Sequence, residues 1–211
     1  ALRRAHEETA EALERQTATA EILKVIGSSP TDVQPVFDAI LENAVRLCDS
    51  PRAAVFRYDG QLVHLAATKN WTTEALAKAA AEYPRPPDPH QMNGRVRSTG
   101  KVVHIEDALT DPSYDHGRAL VMGWRQLLGV PMLREGAVIG AITFAWTEAG
   151  RVPERQVELL KTFADQAVIA IENVRLFKEL QSRTEALTRS VGQLTALGEV
   201  GRAVSSTLEV E

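Results

Sequence analysis

The chain holds 211 residues, 44% of them hydrophobic, enough for one domain of ordinary size with additional helix and a buried core. Its 24 basic and 28 acidic residues are well mixed and leave a net charge of -4, without the basic stripe that a nucleic-acid partner would call for. The single cysteine, Cys48, excludes an internal disulfide framework and a zinc cluster of several thiolates, and no apolar run approaches the length that crosses a bilayer.

Residues 1–26 are rich in Ala, Glu, Arg, Thr and Leu and lack Pro and Gly, which predicts a helix. Leu2, Ala5, Leu13, Ala20 and Leu23 keep roughly heptad spacing along it. This charged, helical start is unlike a secretion signal, so a cytoplasmic protein, or a cytoplasmic part of a larger one, is expected. The GSSPTD segment breaks the helix. Thr31 and Gln34 match a capping box, with Asp32 beside the new N-terminus, for a helix over 32–48. Phe37, Ile40, Leu41, Ala44, Val45 and Cys48 share one face of it.

RAAVFRYDGQLVHLAAT predicts two short strands joined at Asp59-Gly60. An Ala-rich helix is expected over 72–83. Pro84, Pro86, Pro87 and Pro89 then make a stiff surface loop or lid edge, because proline cannot serve inner strand or helix interior. A short helix over 93–99 ends at Gly100, and KVVHIED is a strand by its β-branched content. The segment from Ala108 to Gly123 reads as a loop running into a short helix.

Segments 125–134 and 137–147 predict a long antiparallel hairpin with Glu135-Gly136 at its turn. Their apolar content does not alternate, so both faces should be covered, which implies an α+β layered domain with helices on both faces of the sheet. From Pro153 a helix runs without Gly or Pro until Gly192. Val157, Leu160, Phe163, Ala164, Ala167, Ile171 and Val174 form its apolar face. Leu180, Thr184, Leu187, Val191 and Leu194 continue as a heptad seam. A helix of that length is expected to leave the domain as a coiled coil. A lone helix would expose this stripe to water, so a parallel homodimer is expected through Leu13, Leu23, Leu180, Leu187, Val191 and Leu194. Residues 22–33 and 199–210 share a Ser-Ser pair and an acidic-Val ending, as if a second copy of the module begins at 205–211.

The stretch from Gly123 to Phe177 resembles the C-terminal half of a GAF domain: Val130-Pro131, the Glu135-Gly136 turn, Ile139-Gly140, and a helix ending Ala170-Ile171-Glu172-Asn173. The likeness covers about 28–175, leaving 1–27 as an N-terminal signalling helix and 176–204 as a coiled-coil linker. The resemblance implies a six-stranded antiparallel sheet, with the terminal helices on one face and a small-molecule pocket on the other. The flanking helices resemble those of bacterial multi-domain sensor histidine kinases. The chain has no kinase catalytic motif, so an output domain is expected outside it. The implied role is a regulatory sensor in a two-component system, with a structural dimerisation spacer as the alternative and an enzyme ranked last.

Candidate chemistry is sparse. His104, Glu106, Asp111, Asp115 and His116 are types that bind a divalent metal or an anion, but ligand spacing is missing and such residues also make turns and caps. GRVRSTGKV fails as a phosphate loop: five residues separate Gly94 from Gly100, and Val102 follows Lys101. Cys48 sits on an apolar helix face and is expected to be inert. Bilin-binding relatives attach chromophore through a Cys beside a His. This chain has no such pair, so covalent bilin is not expected despite a faint phytochrome likeness at Pro112 and Asp115. The signature of cyclic-nucleotide-binding relatives is missing, and relatives that reduce methionine sulfoxide use several cysteines. By analogy to the family pocket, the candidate ligand contacts are Trp71, His104, Tyr114, His116, Trp124 and Arg125. An Arg could pair with a carboxylate and a Trp could stack on a planar ligand. The alternative is that both Trp are hydrophobic plugs and Arg125 a surface strand residue. His64 is expected on a strand face without special role, and His6 and His90 in solvent.

Overall fold

A computed structural model describes the backbone of residues 2–208, and the side chains of residue 6 and residues 9–193. The side chains of Leu2, Ala5 and Leu194, and the possible second repeat at 205–211, therefore fall outside the described side chains. In chain order the elements are α1 (Leu2–Ser28), α2 (Gln34–Cys48), β1 (Arg52–Tyr58), β2 (Val63–Lys69), α3 (Thr73–Glu82), α4 (Met92–Thr99), β3 (Val103–Ile105), α5 (His116–Met122), β4 (Gln126–Arg134), β5 (Ala137–Trp146) and α6 (Glu154–Leu208).

The sheet is antiparallel throughout, in the order β2-β1-β5-β4-β3. It has five strands among the described residues, where the family resemblance implied six. The place of a further strand is visible at the free edge of β2. Val63 and Arg85 exchange two backbone hydrogen bonds there, 2.7 and 3.2 Å long, and the pairing goes no further. Pro84, Pro86 and Pro87 flank Arg85 and have no N–H to extend the ladder.

The hairpin anticipated at Glu135-Gly136 forms β4 and β5, both turn residues taking positive φ, 51° and 82°. Its two faces differ. Leu128, Val130, Ile142 and Phe144 belong to the main core with Phe37, Ile40, Leu160 and Phe163. Leu127, Ala141 and Ala145 face the opposite way, into a smaller cluster with Met92, Tyr114 and Trp124. Strand residues alternate sides, so one face received large side chains and the other small ones. The terminal helices α1 and α6 join α2 over the main core, and α4 packs against β3, β4 and β5 on the other face. Helices thus cover both faces, as the unbroken apolar hairpin implied.

One local expectation changes. The capping box at Thr31 and Gln34 does not form. Val33 is the N-cap of α2 without a side-chain bond, and Asp32 Oδ1 instead accepts from Gln34 N at 2.9 Å. In α1 the face buried in the core is Ala18, Ile22 and Ile26, while Leu13 and Leu23 point outward. The helix α6 runs through Gly192 to Leu208.

Glycine sets the approach of α4. A Cβ on Gly94 would collide with the backbone carbonyl of Asp88, and one on Gly129 would lie 2.7 Å from Met92 Sδ. With hydrogen at both positions, α4 lies close to β4 on one side and to the proline-rich segment on the other.

Candidate functional site

The small-residue face of the sheet leaves a cavity under α4, α5 and the loop before α5. Its floor is Ala53 and Phe56 from β1, Leu127 from β4, and Thr143 and Ala145 from β5. Gln91, Met92 and Asn93 close one side, Tyr114 and Arg118 another, and Trp71, Tyr83 and Trp124 the rest, with Arg52 at the start of β1. The cavity measures about 30 Å³, on a scale where one water needs about 10–15 Å³. Asn93 locks the roof: its Nδ2 donates to Tyr83 Oη at 3.0 Å, and its carbonyl accepts from Tyr58 Oη at 2.6 Å.

Two guanidinium groups reach this wall, and they are satisfied differently. Arg118 Nη1 donates to Glu82 Oε2 at 2.7 Å, and its side chain is 10% exposed. Burial opposes its charge, but the Glu82 carboxylate together with Tyr83 and Tyr114 outweighs that and holds the guanidinium above its ordinary pKa. Arg52 donates Nη1 to the carbonyl of Met122 and has no carboxylate partner among the described residues. Trp124 stacks edge-on against Trp71, ring centroids 6.3 Å apart, and its Nε1 is buried without a hydrogen-bond partner. Burial raises the Tyr114 phenol well above its usual range, so it stays protonated, and Arg95 lies over its ring.

Three of the six expected ligand contacts therefore meet at the cavity: Trp71, Tyr114 and Trp124. The other three do not line it. Arg125 pairs with Asp107, Nε to Oδ1 at 2.7 Å, and pins the loop after β3; this bond holds the Asp107 carboxyl down at about 2. His116 is exposed, with Nε2 2.7 Å from the Asp111 carbonyl. His104 Nε2 accepts from the Val152 backbone N–H at 3.3 Å, just before α6. The possible metal residues are likewise dispersed. Asp111 takes both ends of the Arg95 guanidinium at 2.7 and 2.9 Å, Asp115 Oδ1 caps α5, and no group of three metal-ligating side chains occurs among the described residues. His64 Nε2 lies 2.6 Å from Asp59 Oδ2, and the Leu62 backbone N–H, the His64 ring and the Gln61 N–H together draw the Asp59 carboxyl well below the usual range.

Sequence reasoning missed Arg52, Arg118 and Asn93. Arg118 stands two residues past His116, in a segment already singled out. The alternation of small and large residues in AITFA was the signal for a hollow face, with Ala141, Thr143 and Ala145 the small set. The Cys48 thiol is buried and pushed up to about 12 by desolvation and the nearby Asp49 carboxylate, which keeps it protonated at neutral pH.

A family model for the GAF domain matches residues 30–172. Among solved structures, the GAF domain of a phosphoenolpyruvate-protein phosphotransferase from Coxiella burnetii is similar at TM-score 0.66 and 17% identity, over 78% of this chain and 96% of that one. Free methionine-R-sulfoxide reductase from Neisseria meningitidis, solved with its substrate, is similar at TM-score 0.64 and 16% identity, over 79% of this chain and 93% of that one. A domain of a protein named for a two-component sensor histidine kinase from Sinorhizobium meliloti follows at TM-score 0.58 and 16% identity, over 72% and 98%. At these identities the likeness shows a shared fold. No curated protein matches the chain.

Proposed function

The chain belongs to the GAF-domain family, and on that premise we propose that it is a small-molecule-sensing and dimerisation module of a bacterial signal-transduction protein. GAF domains are sensory and regulatory modules, and a histidine kinase is the output expected beyond this chain. The sensor core is 28–175, with 1–27 and 176–204 as signalling helices. One observation carries the reading: the sheet has a largely apolar cavity with a few polar groups on one face and both terminal helices packed on the other. A ligand that fits one arrangement of those helices better than another would shift the equilibrium between them. The buried Cys48 thiol, protonated at neutral pH, favours regulation over thiol catalysis.

Dimerisation is supported by an exposed apolar stripe. Leu180, Leu187 and Val191 are all more than half exposed, as are Leu13 and Leu176. A groove along Pro30, Leu176, Phe177 and Leu180 extends the stripe toward the sheet. We place a parallel second copy of the chain on it.

A collection of small molecules screened by thermal shift tests the sensing role, because a ligand selective for the folded state must raise the melting temperature. A saturable rise is expected. A flat response across all chemical classes would overturn sensing and favour the structural spacer. The small volume and the Trp71–Trp124 plug support that second reading.

A further inference from the structure

The cavity wall carries a cation that nothing on the described chain neutralises. Arg52 is half-buried, and a guanidinium offers five N–H donors. Its recorded bond is to the Met122 carbonyl, and no carboxylate among the described residues pairs with it. The neighbouring guanidinium of Arg118 is already matched by Glu82. On the same wall Trp124 is 7% exposed, and its indole N–H, a donor that cannot accept, has no partner. Buried donors are normally satisfied by protein or water, so an orphan beside an unmatched cation calls for an acceptor carrying negative charge.

The rest of the lining is apolar, chiefly Phe56, Leu127, Ala145 and Trp71. A bare inorganic ion would leave that surface unused, and an amine would face Arg52. The enclosed volume, about 30 Å³, holds two or three waters and restricts an occupant to a few non-hydrogen atoms.

We infer that the cavity takes a short-chain organic monocarboxylate, its carboxylate on Arg52 and the Trp124 N–H and its carbon chain against Phe56, Leu127 and Ala145. Arg is suited to this because its planar fork can hold both carboxylate oxygens. The assignment rests on the sensing function proposed above and gives that site its ligand class.

The test titrates the whole chain at constant ionic strength with acetate, propionate, butyrate and pyruvate. The controls are propionamide, 1-propanol, propylamine, chloride and phosphate. Melting temperature and tryptophan fluorescence are both followed, since Trp71 and Trp124 line the site. Acetate or propionate, the smallest of the series, should raise the melting temperature and change the fluorescence with one saturation curve. Arg52→Gln should raise the half-saturating concentration at least tenfold, and Trp124→Phe severalfold. Arg125→Gln, outside the cavity, should leave it unchanged. If Arg52→Gln does not fold, Trp124→Phe and the ligand classes on the unaltered protein still decide. Propionamide, propylamine, chloride or phosphate acting as strongly as propionate overturns the carboxylate assignment and leaves sensing intact. So does silence from the carboxylates with a response elsewhere in the wider collection. Silence from everything overturns both.

Discussion

His104 shows how a residue can be prominent in the sequence and serve the scaffold. Burial lowers its pKa below the ordinary 6.5, against the pull of Glu106 and with that of Arg151. Because the folded pKa is the lower one, the unfolded chain takes the proton first. The stability this histidine contributes is full above pH 6.5 and is lost as pH falls toward the folded value. The melting temperature should therefore drop more steeply below pH 6.5 in the unaltered protein than in His104→Gln, in a scan from pH 8 to 5. A parallel pair of scans would remove the expectation. At Gly94 the demand is steric: Gly94→Ala should lower the unfolding free energy by about 1–3 kcal/mol in urea titrations, because α4 must back away from the Asp88 carbonyl. The aromatic members of the site were legible because Trp71, Tyr114 and Trp124 are large, amphipathic and rare. Arg125 and His116 were not separable from them in one dimension. Whether a side chain turns to a cavity or to Asp107 depends on loop geometry that no local spacing encodes.

At the scale of elements, composition and periodicity revealed most of the fold. Helix α3 is capped by Thr72, whose hydroxyl accepts from Ala75 N at 3.2 Å, and α4 ends at Gly100 with φ 64°. Both ends follow from residue type. The start of α2 does not: Thr31 and Gln34 have the right spacing, but Pro35 follows and the chain enters through Val33 with Asp32 as acceptor. The sixth strand that the resemblance implied does not form among the described residues: beside β2 there is one pairing, Val63 with Arg85, and the surrounding prolines end it. The hairpin residues do the most for the site. Small side chains at Thr143 and Ala145 hollow out one face while Ile142 and Phe144 fill the other. Ala145→Val should occupy part of the cavity, change stability by less than about 1.5 kcal/mol, and abolish any ligand-dependent rise in melting temperature. A full ligand response from that variant would show that the binding site lies elsewhere.

For the whole molecule, the apolar stripe on α6 predicts self-association. Sedimentation over a rising concentration series should show a dimer, and Leu180→Glu with Leu187→Glu should yield a monomer that keeps its melting transition, because both residues are exposed in the single chain. A sedimentation coefficient independent of concentration and of these changes would remove the seam. The sequence disclosed the stripe because heptad spacing is local. It concealed that α1 turns a different face, Ala18, Ile22 and Ile26, toward its own core. The helix α6 is uninterrupted for 55 residues, about 80 Å at 1.5 Å per residue. Its root is held where Val152 meets His104, and its tip stands far from the sheet. A tilt of about three degrees at that root would sweep the far end through roughly 4 Å, by the length just given. The rod magnifies: a disturbance smaller than a bond length near β5 becomes, at the other extremity, a displacement as wide as a side chain.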